Sequence, residues 1–222
     1  MPEIVLLSDP RIAVIPVKEC GEPLVDLRTL KVIRVDPRLA DREGAYAHVR
    51  LSVADRLVAA QTRLPRELRF LVVEGYRPPG LQHRYFAGSV ARLRATHPGW
   101  DERRAAVEAS KYVSPPDVAP HTTGGAVDLT LCTLGGAELP MGTPVNATPP
   151  EYGEDCHTAS TAISPQAMEN RRVLSTAMAF GGFVNYATEW WHWSYGERYW
   201  AFGTEARYAR YGPTDGLPRS RG

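Results

Sequence analysis

Nothing in this 222-residue chain is apolar for long enough to cross a membrane. A spanning helix needs about 18–20 uninterrupted apolar residues, and no stretch approaches that. The start, MPEIVLLSDPRIAVIPV, has an acid at Glu3 and only a short apolar run before Asp9 and Pro10, where a secretory signal has a basic start and a longer apolar core. Cysteine is scarce. Cys20, Cys132 and Cys156 are odd in number and unequally spaced, so they form neither a disulfide framework nor a CxxC thiolate metal site. No charge sign dominates, with 26 Lys and Arg against 25 Asp and Glu, and no basic stretch is dense enough to bind nucleic acid or an anionic membrane. Arg92–Arg94 and Arg103-Arg104 read as solvated helix faces. Internal repeats and low-complexity linkers are also missing. These absences predict a cytoplasmic, reduced protein with one domain over 1–212 and a flexible tail over 213–222.

What is present is short runs punctuated by proline and glycine. Ile12–Pro16 and Lys31–Val35 predict edge strands and loops. Apolar residues at Ala47, Leu51, Ala54, Leu57 and Val58 predict a helix over 45–62, closed by Pro65. Phe70–Val73 predicts a buried strand that delivers the chain into Gly75-Tyr76-Arg77-Pro78-Pro79, where two prolines hold Arg77 extended. Helical spacing follows over 80–96 and 101–112. The proline-rich stretch 114–120 ends at His121, a Gly124-Gly125 turn follows, and Ala126–Leu131 alternates as a strand. After a loop over 133–163, Ser164-Pro165 predicts an N-cap for a helix ending at Gly181-Gly182. Phe183–Tyr186 and Trp190–Ser194 predict paired strands. The pattern as a whole predicts a compact α+β domain, a central antiparallel sheet flanked by helices.

Three pieces carry chemistry. In the first, His121 leaves a proline-stiffened loop and Asp128 follows on a strand, sharing a face with Ala126 and Thr130. In the second, Glu189 precedes a strand bearing His192. Two imidazoles and a carboxylate suit Zn²⁺ as three protein ligands, leaving a fourth position for water. Glu189 is then placed to act as general base, passing the water's proton to a leaving amine. The third is Arg77, a rigidly held guanidinium able to neutralise an oxyanion. Other candidates read as structural. Cys156-His157 are adjacent and point apart in extended chain, Gly181-Gly182 ends a helix rather than opening a phosphate loop, and Asn170-Arg171-Arg172 holds structure through hydrogen bonds. His48, His83 and His97 fall on helical patterns and read as surface residues.

In order along the chain, GYRPP, HTTGGAVDLTL, MGTPV, NRR and EWWHW resemble the zinc D-alanyl-D-alanine dipeptidases of the M15 peptidase group, over roughly residues 24–203. The resemblance implies that group's α+β fold and one zinc ion held by His121, Asp128 and His192. It also implies Glu189 as base, Arg77 as oxyanion stabiliser, and a cytoplasmic enzyme that cleaves D-Ala-D-Ala, a precursor of bacterial cell wall, by attack of a metal-bound water. Three departures bear on substrate. Ala119 stands where the family has serine, Thr29 where it has tyrosine, and Asn146 where it has an aspartate taken to bind the substrate's amino terminus. Losing that charge weakens recognition of an ammonium, unless Glu151, Glu154 or Asp155 replaces it. An acylated or longer peptide therefore stays open as substrate, for a D,D-carboxypeptidase or amidase, and so does a non-catalytic, zinc-stabilised binding module.

Overall fold

The computed structural model describes residues 4–147 and 149–217. In chain order its elements are α1 (Pro10–Ala13), β1 (Leu24–Asp26), β2 (Arg34–Val35), β3 (His48–Arg50), α2 (Leu51–Gln61), β4 (Leu68–Glu74), α3 (Pro79–Thr96), α4 (Glu102–Ala109), β5 (Ala126–Thr133), α5 (Pro149–Tyr152), α6 (Pro165–Phe180), β6 (Val184–Asn185), β7 (His192–Ser194) and α7 (Arg198–Gly203). This is the expected α+β architecture. Five strands form one sheet in the order β2-β4-β5-β7-β6, antiparallel except for the β2–β4 edge, and β1 pairs with β3 in a separate ribbon.

Alternation on β5 divides the sheet into two faces. Val127, Leu129 and Leu131 join Phe70 and Val72 of β4, Leu57 of α2, and Leu174 and Met178 of α6 in the main core. Ala126, Asp128 and Thr130 take the other face. Helix α6 begins as its sequence dictates, with the Ser164 hydroxyl accepting from Ala167 N–H and Pro165 in the first turn. Its Asn170 donates to Pro140 O, and Arg171 donates to the carbonyls of Met141, Asp155 and His157, fastening the 140–157 loop to the core.

Several boundaries differ from the sequence reading. The helix expected over 45–62 starts at Leu51. Gly44 sits at φ +72° and leads into a 3-10 turn over Ala45–Ala47, and His48–Arg50 then pairs with β1. His48 is accordingly on a strand, half-buried, with Nδ1 2.7 Å from Gly44 O. Ile12 lies in a short helix capped by Asp9 rather than in a strand. The last two strands shrink to Val184–Asn185 and His192–Ser194. The Asn185 amide donates to the carbonyls of Glu189 and His192, and Trp190 N–H goes to Cys156 O, so the chain between them is a turn. Trp190 therefore does not share a strand face with His192, and all three tryptophans of EWWHW are core residues. Of the expected tail, Thr214 is pinned by its N–H to Thr122 O and by Tyr76 Oη donating to its carbonyl, while 218–222 lie outside the described residues.

Candidate metal centre

The polar face of the sheet is organised by a break in register. Along β4 and β5, Phe70 opposes Leu131, Leu71 opposes Thr130 and Val72 opposes Leu129; then Glu74, not Val73, opposes Asp128. The extra residue at Val73 is a β-bulge, a device that re-aims a side chain. Without it Glu74 would point into the apolar core. With it, Glu74 faces the same side as Asp128. On the other flank β7 places His192 directly across from Asp128, and Ser194 across from Ala126.

His121 reaches this strip from a 3-10 turn over Pro120–Thr123, which Gly124 ends at φ +70°. The turn is locked to the end of β4. Arg77 N–H donates to His121 O at 3.1 Å, and His121 Nδ1 lies 2.7 Å from Gly75 O. A carbonyl can only accept, so Nδ1 carries the proton and Nε2 presents a lone pair. His121 Nε2 lies 3.3 Å from Asp128 Oδ1 and 3.2 Å from His192 Nδ1, and His192 Nδ1 is 2.9 Å from the same oxygen. All three side chains are buried.

Four-coordinate zinc with bonds of about 2.0–2.1 Å separates neighbouring ligand atoms by about 3.3 Å. The observed 2.9–3.3 Å triangle of two imidazole nitrogens and one carboxylate oxygen fits that shell and that donor preference. The residues could therefore hold one such ion. Burial alone would raise the Asp128 carboxyl, but the facing His121 and His192 imidazoles outweigh it and hold the group well below the usual carboxylate range. Burial would likewise lower His121, and Asp128 outweighs it, so this imidazole keeps a proton to higher pH than an ordinary histidine.

Two further groups flank the triangle. Burial pushes the Glu189 carboxyl up to about 7, with Asp128 adding to the rise and His192 and Arg77 opposing it. Arg77 is gripped on both sides. Its Nε and Nη2 donate to the two Glu74 oxygens, and its Nη1 donates to Gln82 Oε1 at 2.7 Å, while Gln82 in turn donates to Ser114 O. Its guanidinium also lies 5.2 Å from the centre of the Tyr85 ring.

Glu74 and Gln82 escaped sequence reasoning. An acid closing the apolar run before GYRPP was a usable signal for Glu74; the bulge that turns it towards Asp128 was not. The four residues expected near substrate are less clearly assembled. Ala119 is buried two residues before His121, and its carbonyl accepts from the Thr122 hydroxyl. Thr29 is exposed and gives its hydroxyl to Asp26 O. Asn146 is exposed at φ +62°, in a loop tied to the turn before β7 where Trp190 Nε1 donates to Thr143 Oγ1. Glu151 is exposed on α5. A cavity of about 370 Å³ lies beside the Glu74–Arg77 pair, walled by Tyr46, Glu74, Tyr76, Pro78, Arg84 and Tyr85 among others.

A family profile, peptidase M15, described as D-Ala-D-Ala dipeptidase, matches residues 39–211. A D-alanyl-D-alanine dipeptidase of Synechocystis sp. is 29% identical over 87% of this chain and 90% of that protein. One from Escherichia coli K12 is 39% identical over 72 residues, 32% of this chain and 35% of that protein. A solved structure described as the LdcB LD-carboxypeptidase aligns with a TM-score of 0.45 at 20% identity, over 85% of this chain and 74% of that one.

Proposed function

The chain belongs to the peptidase M15 family, and from that premise we propose that it is a zinc-dependent dipeptidase hydrolysing D-Ala-D-Ala or a closely related dipeptide. The observation that carries the reading is the buried His121–Asp128–His192 triangle with a carboxyl held near neutrality beside it. Zinc bound there supplies Lewis acidity, lowering the pKa of water and polarising a carbonyl. Glu189 takes the proton of the attacking water on its carboxylate and returns it to the leaving amine, so one peptide bond and one water yield an acid and an amine. A group with a pKa near the working pH does both tasks well. Arg77, held in place by Glu74 and Gln82, pairs with the negative charge that develops on the attacked carbonyl oxygen.

The cavity beside Arg77 falls within the range of small-ligand sites and gives a short peptide room on that side. Ala119, Thr29, Asn146 and Glu151 are the candidates for substrate contacts. The exposed amide of Asn146 offers no charge to a free ammonium, and this favours a second reading, an acylated or longer peptide cleaved by the same machinery. Three free thiols fit a reducing, cytoplasmic setting.

The test is zinc-loaded protein offered free D-Ala-D-Ala and its N-acylated form, with release of D-alanine as readout. Cleavage of the free dipeptide is expected, and Glu189→Ala should cut kcat by about 10²–10⁴-fold while zinc stays bound. Cleavage of the acylated form alone would overturn the dipeptidase reading. Activity undiminished in Glu189→Ala would overturn the assignment of the base.

A further inference from the structure

A ligand carried on a turn is only as well placed as the turn, and the turn that bears His121 is held from outside. The four successive carbonyls from His121 to Gly124 each accept from a donor far away in sequence. Arg77 N–H donates to His121 O, Thr214 N–H to Thr122 O, Arg50 Nε to Thr123 O at 2.7 Å, and Arg50 N–H to Gly124 O at 2.9 Å. Two of the four donors thus belong to one residue at the end of β3. Arg50 is 4% exposed, and Thr123 is buried with it. The other guanidinium N–H groups hold the two ends of the chain. Nη1 donates to Glu22 O at 2.6 Å, Nη1 and Nη2 each lie 3.1 Å from a Glu19 carboxylate oxygen, and Nη2 donates to Gly212 O at 3.3 Å. Arg50 thereby also anchors the segment that brings Thr214 to Thr122 O.

A buried arginine facing a glutamate is ordinarily a structural ion pair. What sets Arg50 apart is its Nε, which donates not to Glu19 but to the turn. A guanidinium does both because its donors form a rigid fork. A buried carbonyl that loses its donor is left at a cost, and the turn relieves that cost only by moving. Ligand constellations tolerate displacements of about 0.5 Å. We propose that Arg50 is a positioning residue for the metal centre, its Nε–H fixing the turn at Thr123 O and with it the place of His121 among the three donors. The proposal rests on the reading of His121 as a ligand.

The test separates the two tasks of the guanidinium. Arg50→Gln puts an amide N–H where Nε stands, keeping a donor for Thr123 O but no charge for Glu19. Arg50→Lys has a methylene at that position, keeping a charge for Glu19 but no Nε donor for Thr123 O. Zinc affinity is measured by chelator competition, with the melting temperature of the metal-free protein as a control for folding. Arg50→Lys should bind zinc about 10-fold more weakly than the parent, the lower end of what outer partners of ligands contribute, and Arg50→Gln should stay within about two-fold. A purely structural ion pair predicts the reverse order. Glu19→Gln, which removes the charge and leaves Arg50 whole, should also stay within about two-fold, and it tests the same point should an Arg50 variant fail to fold. Parent-like zinc affinity in Arg50→Lys, an Arg50→Gln as weak as Arg50→Lys, or a 10-fold loss in Glu19→Gln would overturn the positioning role. His121→Ala separates the two levels. Unchanged zinc binding there defeats the ligand assignment itself, whereas zinc lost in His121→Ala and kept in Arg50→Lys defeats the positioning role alone.

Discussion

Glu189 sits where a carboxylate is costly. Burial and the neighbouring Asp128 lift it from an ordinary 4.5 to about 7, so its charged form is destabilised in the folded protein. A raised carboxyl imposes no penalty below about pH 4.5, an increasing one between 4.5 and 7, and the full one above. The full shift corresponds to about 3 kcal/mol at most, and partial exposure of the residue trims that to about 1–2. Replacing it by the neutral Glu189→Gln should therefore raise the melting temperature of the metal-free protein at pH 8 and leave it nearly unchanged at pH 4.5, as thermal denaturation at the two pH values will show. Arg77 and Glu74 pose the opposite case, a half-buried guanidinium and a buried carboxylate that satisfy each other. Arg77→Met should lower kcat by about 100-fold through loss of the oxyanion donor. It should also cost about 3 kcal/mol of stability by leaving Glu74 uncompensated. Adding Glu74→Gln should restore much of the stability in denaturant titration and none of the kcat.

At the scale of elements, the site depends on how closely the end of β4 approaches its neighbours. A Cβ built on Gly75 would lie 2.3 Å from the backbone oxygen of His48, a contact no side-chain rotation relieves. The same residue's carbonyl orients His121. Gly75→Ala should thus lose about 2 kcal/mol or more of stability, and zinc affinity should fall with it, measurable by denaturant titration and chelator competition. This crowding was not legible in the sequence, although much else was. The strand at Phe70–Val73, the helices over 80–96 and 101–112, and the capped helix from Ser164 follow from local periodicity and caps, and the structure carries them within a few residues. The helix expected over 45–62 was too long because apolar spacing continued through 45–50, where pairing with β1 decides the conformation instead. The His121, Asp128 and His192 cluster was legible because HxxxxxxD and ExxH are local patterns. Glu74 depends on a bulge against β5, a long-range fact that no window of sequence contains.

On the scale of the whole molecule, metal binding and folding are separable. The main core joins α2, α6 and the apolar face of the sheet without the three donors. Lys18 and Cys20 donate to Ala209 O and Arg210 O, and Gly212 N–H donates to the Glu19 carboxylate, so the N-terminal segment is strapped to the C-terminal one. Chelation should therefore abolish activity and leave the far-ultraviolet circular dichroism intact. Zinc at about 100 times its dissociation constant adds about 2.7 kcal/mol to stability. In a chain of this length that is worth about 5–10 °C in melting temperature. The gain must depend on pH, because ligating imidazoles have to be deprotonated and the ion competes with protons for them. The Asp128 carboxylate holds His121 above its ordinary value in the metal-free protein, so that competition already operates above the pH where a free histidine titrates. Lowering the pH protonates His121 in the metal-free state and costs the ion affinity, whereas raising it removes the competitor. The increment in melting temperature on adding zinc should therefore be largest near pH 8 and shrink steadily towards pH 5.5 in scanning fluorimetry. An increment that stays constant across that range would mean that imidazoles do not hold the ion, and the centre would have to be sought elsewhere on the chain.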